Sequence, residues 1–278
     1  MTKHRWLWAC LLASCTIATA HPTIREDLVF VQRPEGNLKF DFIEPEGKGP
    51  FPLVVCIHGG AWHIGSKRGH HRMMHLLAQN GYAAASVQYR FAPKHKFPAQ
   101  IEDVKCAIRY VRANAAELGV DPDRLVISGN SAGGHLSLMA GGAGGVAGFE
   151  GSGGHADTSS NVAAVISFYP PTGLERRSWG GLPALFGKGA PEATLRGASP
   201  LTYATSSFPP TLLIHGNKDE VVPEAEATRM YEALNAAGVP VELHMFAGQP
   251  HGFDADPKLG RQCAEIMLSF MDRFVLGR

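Results

Sequence analysis

The chain has 278 residues and a mass of 29.8 kDa, a length that a single α/β domain with one buried core commonly reaches. Its 26 basic and 25 acidic side chains nearly balance, and 45% of its residues are hydrophobic. Without a clustered basic patch, this composition argues against a nucleic-acid partner or an anionic membrane surface.

The N-terminal segment has the pattern of a secretory signal peptide. Residues 2–5 form a positively charged n-region, residues 6–17 form an apolar h-region, and residues 18–20 form the small-x-small pattern of a cleavage site. The apolar run is shorter than the roughly 20 residues that a membrane span needs. Residues 12–15 also resemble a bacterial lipoprotein processing site, which would leave a lipid on Cys15. We therefore predict a secreted or periplasmic protein, with lipid anchoring through Cys15 as the alternative.

Eight short apolar segments are predicted to be β-strands. They occupy residues 28–32, 38–43, 53–57, 83–87, 125–128, 162–168, 211–215 and 241–246. Longer segments with helical spacing separate most of them, which is typical of parallel strands joined by right-handed crossovers. Several strands are apolar throughout, as expected for a sheet covered on both faces. We predict that a signal peptide, residues 1–20, precedes one α/β domain, residues 21–278, with a mostly parallel eight-stranded sheet and helices on both faces.

Two amphipathic helices are predicted from apolar residues that recur at helical spacing, one over residues 101–118 and one over residues 259–274. Two other stretches, residues 141–161 and 170–207, are rich in small residues and break the alternation of strands and helices. We interpret both as surface insertions. The second is either a partial lid or pocket wall, or an inert excursion.

Three cysteines remain after residue 20: Cys56, Cys106 and Cys263. An odd number of cysteines does not fit a disulfide framework. Each lies in an apolar segment, so we predict buried free thiols without a catalytic role.

The run Gly129-Asn130-Ser131-Ala132-Gly133 follows a predicted strand and opens a helical segment. Glycines beside a serine permit the sharp strand-to-helix turn of a nucleophile elbow, which exposes the serine Oγ. The N-terminus of the helix adds a positive dipole beneath the serine. The pattern is weak by itself, but in this context it predicts that Ser131 is a nucleophile. A glycine-rich turn with an incidental serine is the alternative.

A serine hydroxyl needs a base to remove its proton and an acid to orient that base. Asp219 and His251 follow the last two predicted strands, at the sheet edge where Ser131 also lies. The chain order Ser, Asp, His is that of α/β-hydrolases and not of trypsin-like or subtilisin-like enzymes. Three further acids compete for the orienting role: Glu220, Asp254 and Asp256. We prefer Asp219 because it lies at the expected distance past its strand.

The segment His58-Gly59-Gly60-Ala61-Trp62 follows the strand predicted at residues 53–57. Glycines leave backbone N–H groups open to a developing negative oxygen. We predict that Gly59, Gly60 and Ala132 form an oxyanion hole. A tight turn at the end of a strand would also explain the glycines.

A metal site is a further possibility because His70, His71 and His75 lie close together, with the last two at the i, i+4 spacing of zinc ligands. No third ligand or general-base glutamate completes the pattern. We therefore predict an exposed histidine cluster, no metal site and no cofactor.

Taken as a set, the motifs resemble the hormone-sensitive-lipase-like esterases. They are His58-Gly59-Gly60, Tyr89-Arg90-Phe91-Ala92-Pro93, Gly129-Asn130-Ser131-Ala132-Gly133-Gly134 and His251-Gly252-Phe253. The segment from Pro209 to Asp219, with Val222-Pro223, is more similar to the bacterial feruloyl/acetyl-xylan esterase branch of that superfamily. The resemblance covers about residues 40–275. It implies the α/β-hydrolase fold, the site residues named above and carboxylic-ester hydrolysis.

Two departures from the hormone-sensitive-lipase branch matter. The elbow carries Asn130 where that branch usually has an acid, and residues 21–52 are too few for its N-terminal helical cap. An open site follows, which suits a small soluble ester or an acyl group on a large polymer better than a long-chain lipid. Trp62 is then predicted to bind the substrate on its acyl or alcohol side, with core packing as the alternative.

The predicted function is that of a serine esterase with an acyl-enzyme mechanism. Its substrates would be short-chain acyl esters, or acetyl and feruloyl esters linked to plant polysaccharides. The alternatives are a serine peptidase of the prolyl-oligopeptidase type and a non-catalytic binding protein on a hydrolase scaffold. Sequence patterns do not determine the acyl group, the alcohol or the oligomeric state, because specificity depends on the shape of the pocket.

Overall fold

The computed structural model describes residues 22–176 and 180–278. The predicted signal peptide, residues 1–20, and the alternative lipid site at Cys15 lie outside these residues. Within the two described ranges, no helix has both the length and the apolar character needed to cross a lipid bilayer.

Among the residues that the structure describes, eight strands form one sheet. Their bounds are β1 (Arg25–Val31), β2 (Leu38–Ile43), β3 (Phe51–Ile57), β4 (Ala83–Val87), β5 (Val120–Asn130), β6 (Ala164–Phe168), β7 (Thr211–Gly216) and β8 (Val241–Phe246). The spatial order is β1-β2-β4-β3-β5-β6-β7-β8, with β2 antiparallel to both β1 and β4 and every other neighbouring pair parallel. This arrangement confirms the predicted mostly parallel eight-stranded sheet. Strand β5 begins earlier than predicted because Val120 pairs with Phe51 of β3.

Helices cover both faces of the sheet, as predicted. Their bounds are α1 (His71–Ala78), α2 (Ala99–Ala113), α3 (Ala115–Leu118), α4 (Ala132–Gly142), α5 (Ala147–Glu150), α6 (Leu182–Phe186), α7 (Glu192–Gly197), α8 (Ala225–Ala236) and α9 (Pro257–Phe274). Short 3-10 helices span Lys67–His70, Leu174–Arg176, Pro200–Tyr203 and Phe253–Ala255. Alternate side chains of β3 enter two separate cores, because successive residues of a strand point to opposite faces. Val55 lies in the core with α2, α4 and α8, whereas Val54 lies in the core with α1 and α9.

The helix predicted over residues 101–118 consists of two helices, α2 and α3. Asn114 separates them with a backbone conformation outside the helical region, and its Nδ2 donates a hydrogen bond to the Tyr110 carbonyl oxygen at 2.7 Å. Such side-chain bonds to the backbone compete with helix continuation. Gly119 ends α3 with a φ of 67°, a conformation that glycine adopts without strain.

Residues 141–161 are largely exposed, as predicted for an insertion, but one of their carboxylates points inward. Glu150 accepts hydrogen bonds from Lys105 Nζ at 2.6 Å and from Arg109 Nη1 at 2.8 Å. The Lys105 side chain has no exposed surface, and a buried charge is tolerated only when it is paired. The insertion therefore neutralises a charge on α2. The three cysteines named above are buried and free, as predicted.

The described part of residues 170–207 packs into the body of the protein. Leu174 and Leu185 are completely buried, and the Ala198 carbonyl oxygen lies 2.8 Å from Nε2 of His135 on α4. This stretch is therefore part of the packed structure and not an inert excursion.

Four parallel strands bring their carboxyl ends to the same edge of the sheet: β3, β5, β7 and β8. The segment beginning at His58 follows β3, and Ser131, Asp219 and His251 follow the other three strands in turn. Loops at this edge are where open α/β sheets bind their ligands.

Candidate active site

Ser131 sits at a tight turn between β5 and α4, here called the elbow (residues 129–133). Its φ of 55° and ψ of −119° are unusual for a residue with a side chain, and such strain is maintained only where the surrounding structure imposes it. A Cβ atom on Gly129 would lie 2.4 Å from the Gly133 carbonyl oxygen, and one on Gly133 would lie 1.9 Å from the Ile57 carbonyl oxygen. Both glycines are therefore required by close backbone packing.

The structure brings together the three residues that the sequence singles out for nucleophilic chemistry. His251 Nε2 lies 2.9 Å from Ser131 Oγ, and His251 Nδ1 lies 2.6 Å from Asp219 Oδ2. Because an ionised carboxylate only accepts hydrogen bonds, Nδ1 carries the ring proton and donates it to Asp219. The opposite nitrogen, Nε2, is then free to accept the hydroxyl proton of Ser131.

Asp219 is kept ionised by its surroundings. Burial by itself would raise the pKa of this carboxyl, but hydrogen bonds from His215, His251 and the Val222 N–H lower it well below its ordinary value. Its other oxygen, Oδ1, accepts the N–H groups of Val221 at 2.9 Å and Val222 at 2.8 Å. These bonds hold the carboxylate on the side of His251 away from the serine.

The competing acids have other contacts. Glu220 is exposed, and Asp256 caps α9 by accepting the N–H groups of Lys258 and Leu259. Asp254 accepts a hydrogen bond from the hydroxyl of Tyr169. In the part of the chain that the structure describes, only Asp219 among these acids contacts an imidazole nitrogen of His251.

The loop after β3 (residues 58–65, the β3 loop) contains the predicted N–H donors, and one of these predictions is wrong. The N–H of Gly59 donates to Asn130 Oδ1 at 2.8 Å, so it is not available to an oxyanion. The N–H groups of Gly60 and Ala61 have no hydrogen-bond acceptor among the described residues. The N–H of Ala132 lies in the first turn of α4, where no carbonyl within the helix can accept it. The available donors are therefore Gly60, Ala61 and Ala132.

Backbone geometry explains why sequence reasoning missed Ala61. Gly60 has a φ of 116°, and a Cβ atom there would lie 2.0 Å from the Ile64 carbonyl oxygen. Ala61 continues the turn with a φ of 48°. Alanine has no special preference for this left-handed conformation, so no residue type marks this position.

Trp62 does not contact the cavity, which corrects the prediction that it binds substrate. Its side chain is 2% exposed, and its Nε1–H donates to His135 Nδ1 at 3.2 Å. The alternative, core packing, is what the structure shows. Burial lowers the pKa of His135 to about 4, and its neutral ring accepts from Trp62 while Nε2–H donates to the Ala198 carbonyl oxygen.

The Tyr89-Pro93 motif supports the β3 loop from the other side. Tyr89 Oη donates to the His58 carbonyl oxygen at 3.0 Å, and the two rings stack with centroids 4.5 Å apart. The N–H of Ala92 donates to the Trp62 carbonyl oxygen at 3.0 Å.

An open cavity of about 730 Å³ surrounds Ser131 and His251. Its lining includes the β3 loop residues Gly59, Gly60, Ala61 and Ile64, together with Asn130, Tyr169, Val221 and Asp254. Ile64 and Val221 are 60% and 58% exposed, so the rim has an apolar character. None of the described residues between 170 and 207 lines this cavity, and they therefore form no lid over it.

The histidine cluster differs from the exposed cluster that the sequence suggests. His71 Nε2 lies 2.7 Å from Oδ2 of the buried Asp41, which also contacts Lys67 Nζ at 2.5 Å. Desolvation lowers the pKa of His70 to about 4, and only His75 is exposed. Over residues 22–176 and 180–278, no group of three or more His, Cys, Asp or Glu side chains is arranged to hold a metal ion.

The chain is similar in sequence to one protein family and to several esterases. The BD-FAE family model matches residues 40–234. Esterase LipQ of Mycobacterium tuberculosis is 33% identical over 243 residues, 79% of this chain and 55% of LipQ. The probable carboxylic ester hydrolase LipM of the same organism is 33% identical over 74% of this chain and 50% of its own length. The chain thus spans about half the length of these curated relatives.

Two of the solved structures that match this chain are covered over nearly their whole length. A truncated carbohydrate esterase from gut microbiota is 28% identical, with a TM-score of 0.79 over 89% of this chain and 96% of that one. Esterase 2 of Thermogutta terrifontis phosphorylated by paraoxon is 29% identical, with a TM-score of 0.78 over 91% of this chain and 94% of that one.

Proposed function

The chain belongs to the BD-FAE family and has the α/β-hydrolase fold, and from this premise we propose that it hydrolyses carboxylic esters as a serine esterase. The observation that carries the proposal is the continuous hydrogen-bonded series from Asp219 through His251 to Ser131 Oγ. A serine hydroxyl is a weak nucleophile until a base removes its proton, and this series supplies that base in the correct tautomer.

The reaction proceeds in two acyl transfers. Ser131 Oγ attacks the ester carbonyl carbon while His251 Nε2 takes the hydroxyl proton, and the resulting imidazolium is stabilised by ionised Asp219. The tetrahedral intermediate collapses, the alcohol leaves with the proton from His251, and the acyl group stays on Ser131. Water then attacks the acyl-enzyme with the same base, which releases the carboxylic acid and restores the serine.

The tetrahedral oxyanion is stabilised by backbone N–H groups of Gly60, Ala61 and Ala132. Removing one such donor typically lowers kcat about 10²–10³-fold, because a preorganised donor meets charge that develops only in the transition state. The free N–H groups of the β3 loop support this assignment.

Residues 21–278 form one catalytic domain in this proposal, and its substrates carry short acyl groups or acetyl or feruloyl groups on a polysaccharide. The support is the open cavity with an apolar rim at Ile64 and Val221, which leaves room for a bulky alcohol. A structural relative described as a carbohydrate esterase points the same way. We place the mature protein outside the cytoplasm, with residues 1–20 removed or with a lipid on Cys15. The mass of the mature N-terminus distinguishes these two forms.

The central test replaces Ser131 with alanine. We expect Ser131→Ala to lower kcat for p-nitrophenyl acetate by about 10⁴-fold or more. The exposed Ser206→Ala serves as the matched control, and both variants should melt at the temperature of the unmodified protein. Comparable turnover by Ser131→Ala would refute the proposed nucleophile.

Two further assays address the alternatives and the substrate. A fluorophosphonate probe should label the unmodified protein and not Ser131→Ala, whereas no labelling at all would favour a non-catalytic binding protein. Faster cleavage of peptide amides than of esters would favour a peptidase. Across acetyl, butyryl, octanoyl, feruloyl and acetyl-xylan substrates, we expect octanoyl esters to be the poorest, and a preference for them would contradict the proposed substrate class.

A further inference from the structure

Three side chains that the proposed reaction does not use form a hydrogen-bonded series along one wall of the cavity. Asn130 Oδ1 accepts the N–H of Gly59 at 2.8 Å, and Asn130 Nδ2 donates to Tyr169 Oη at 3.2 Å. Tyr169 Oη in turn donates to Asp254 Oδ1. In each of these hydrogen bonds, the acceptor lies one step closer to Asp254 than the donor does. The series thus begins on the β3 loop and ends on a carboxylate.

The series joins two halves of the proposed site. Gly59 directly precedes the available donors Gly60 and Ala61, and Asp254 lies in the short 3-10 helix that follows His251. Tyr169 is 1% exposed, and its ring contacts the His251 imidazole with centroids 4.6 Å apart and planes inclined at 61°. A displacement of Tyr169 would therefore disturb both the general base, His251, and the N–H donors of the β3 loop.

The number of donor hydrogens restricts which side chains can occupy positions 130 and 254, on either side of Tyr169. A phenol has one hydrogen to donate, and here it goes to Asp254. Residue 130 then donates to the phenol oxygen while accepting the N–H of Gly59, and the Asn130 amide does both, whereas an ionised carboxylate could only accept. A carboxylate at position 130 would compete with Asp254 for the single hydroxyl proton. Two neighbouring carboxylates shift their pKa values apart, so that the pair binds one proton at a higher pH than a single carboxylate would.

We propose that Asn130, Tyr169 and Asp254 are positioning residues that hold the β3 loop through the N–H of Gly59, and that the amide at 130 and the carboxylate at 254 are a matched pair. This inference rests on the proposed function, because the loop matters through the oxyanion donors. Its main effect is on kcat and not on KM, since those donors act on charge that develops in the transition state.

The test exchanges the two end groups. We expect Asn130→Asp to lower kcat for p-nitrophenyl acetate about 10–100-fold at about pH 8, less than or equal to the loss of one full oxyanion donor. Adding Asp254→Asn should restore kcat to within about 3-fold, because the new amide at position 254 would donate to the phenol and the new carboxylate at position 130 would accept from it. Tyr169→Phe removes the link and should lower kcat in either background.

A pH profile separates positioning from general damage. As the pH falls, a proton binds the pair of carboxylates that Asn130→Asp creates at positions 130 and 254. The ratio of Asn130→Asp activity to unmodified activity should therefore rise, while the exchanged double variant shows no such rise. The groups that face Asp254 are Tyr169 from the end of β6, Arg72 from α1, Cys263 from α9 and His251 from its own loop. They are unchanged in both variants.

The inference is overturned if Asn130→Asp keeps its kcat across the pH range, or if the folded double variant is no faster than Asn130→Asp. If Asn130→Asp does not fold, recovery of a folded active double variant supports the matched pair, and failure of both variants overturns it. Inactivity of the unmodified protein on every ester would refute the proposed function instead, so the two failures are distinguishable.

Discussion

The elbow and the β3 loop touch each other beside Ser131, but different forces hold them in shape. The elbow depends on close backbone packing, because Gly129 and Gly133 lie against carbonyl oxygens of the elbow and of β3 with no space for a side chain. The β3 loop depends on hydrogen bonds with three side chains outside it: Tyr89, Asn130 and His135. The elbow should therefore be sensitive to any added atom, and the loop to the loss of single polar contacts.

The largest effect is expected for Gly133→Ala in the elbow. The new Cβ would lie 1.9 Å from the Ile57 carbonyl oxygen, and neither backbone can move without separating α4 from β3. We expect a loss of about 3 kcal/mol in the free energy of unfolding, measured by urea denaturation, with a parallel loss of activity. Gly148→Ala is the matched control, because a Cβ there meets no atom within 4 Å. Equal stability of the two variants would contradict the backbone account of the elbow.

A smaller effect on stability, with a large effect on catalysis, is expected for Gly60→Ala in the β3 loop. Its Cβ would lie 2.0 Å from the Ile64 carbonyl oxygen, but this contact lies within the loop, which can shift as a unit. We expect kcat for p-nitrophenyl acetate to fall about 10²–10³-fold as the donors move, with a smaller loss of melting temperature than Gly133→Ala causes. Full activity would show that this part of the loop does not stabilise the oxyanion.

Acid should weaken the surroundings of the β3 loop first, because three poorly solvated imidazoles lie in or beside it: the buried His58 and His135 and the half-buried His70. Desolvation lowers the pKa of each to about 4, against about 6.5 in the unfolded chain. The unfolded state therefore binds protons in this window that the folded state does not. Stability is lost as the pH falls from about 6.5 to about 4, by about 1.4 kcal/mol per pH unit for each group.

Urea denaturation between about pH 7.5 and about pH 4.5 checks this dependence on the imidazoles. His135→Gln should reduce the slope of unfolding free energy against pH, whereas Ser206→Ala, which changes an exposed side chain without a titratable group, should leave it unchanged. Identical slopes for the two variants would show that His135 does not carry the acid sensitivity.

The smallest effect is expected for Trp62→Phe. Phenylalanine keeps most of the packing but loses the hydrogen bond from Nε1 to His135, so we expect a loss of about 1 kcal/mol in the free energy of unfolding. The ranking of KM values across acyl groups should not change, because Trp62 does not line the cavity. A reordering of those KM values would restore Trp62 as a substrate contact.

The positions of the strands were predictable because apolar runs of strand length alternate with helical spacing, and that pattern follows from burial of the sheet on both faces. Strand order then brings Ser131, Asp219 and His251 to one edge. The break between α2 and α3 was not predictable, because apolar residues continue at helical spacing through Leu118 while Asn114 interrupts the backbone.

In the β3 loop, some features follow from the local sequence and others depend on tertiary contacts. Its glycines indicate a tight turn, since only glycine accepts the close approach at Gly60. Which N–H groups remain free depends on Asn130, which is distant in the chain, and whether Trp62 faces the cavity depends on His135. Local conformational preferences and periodicity depend on residues that are close in the sequence. The pairing of hydrogen-bond donors and acceptors is decided only when distant segments meet.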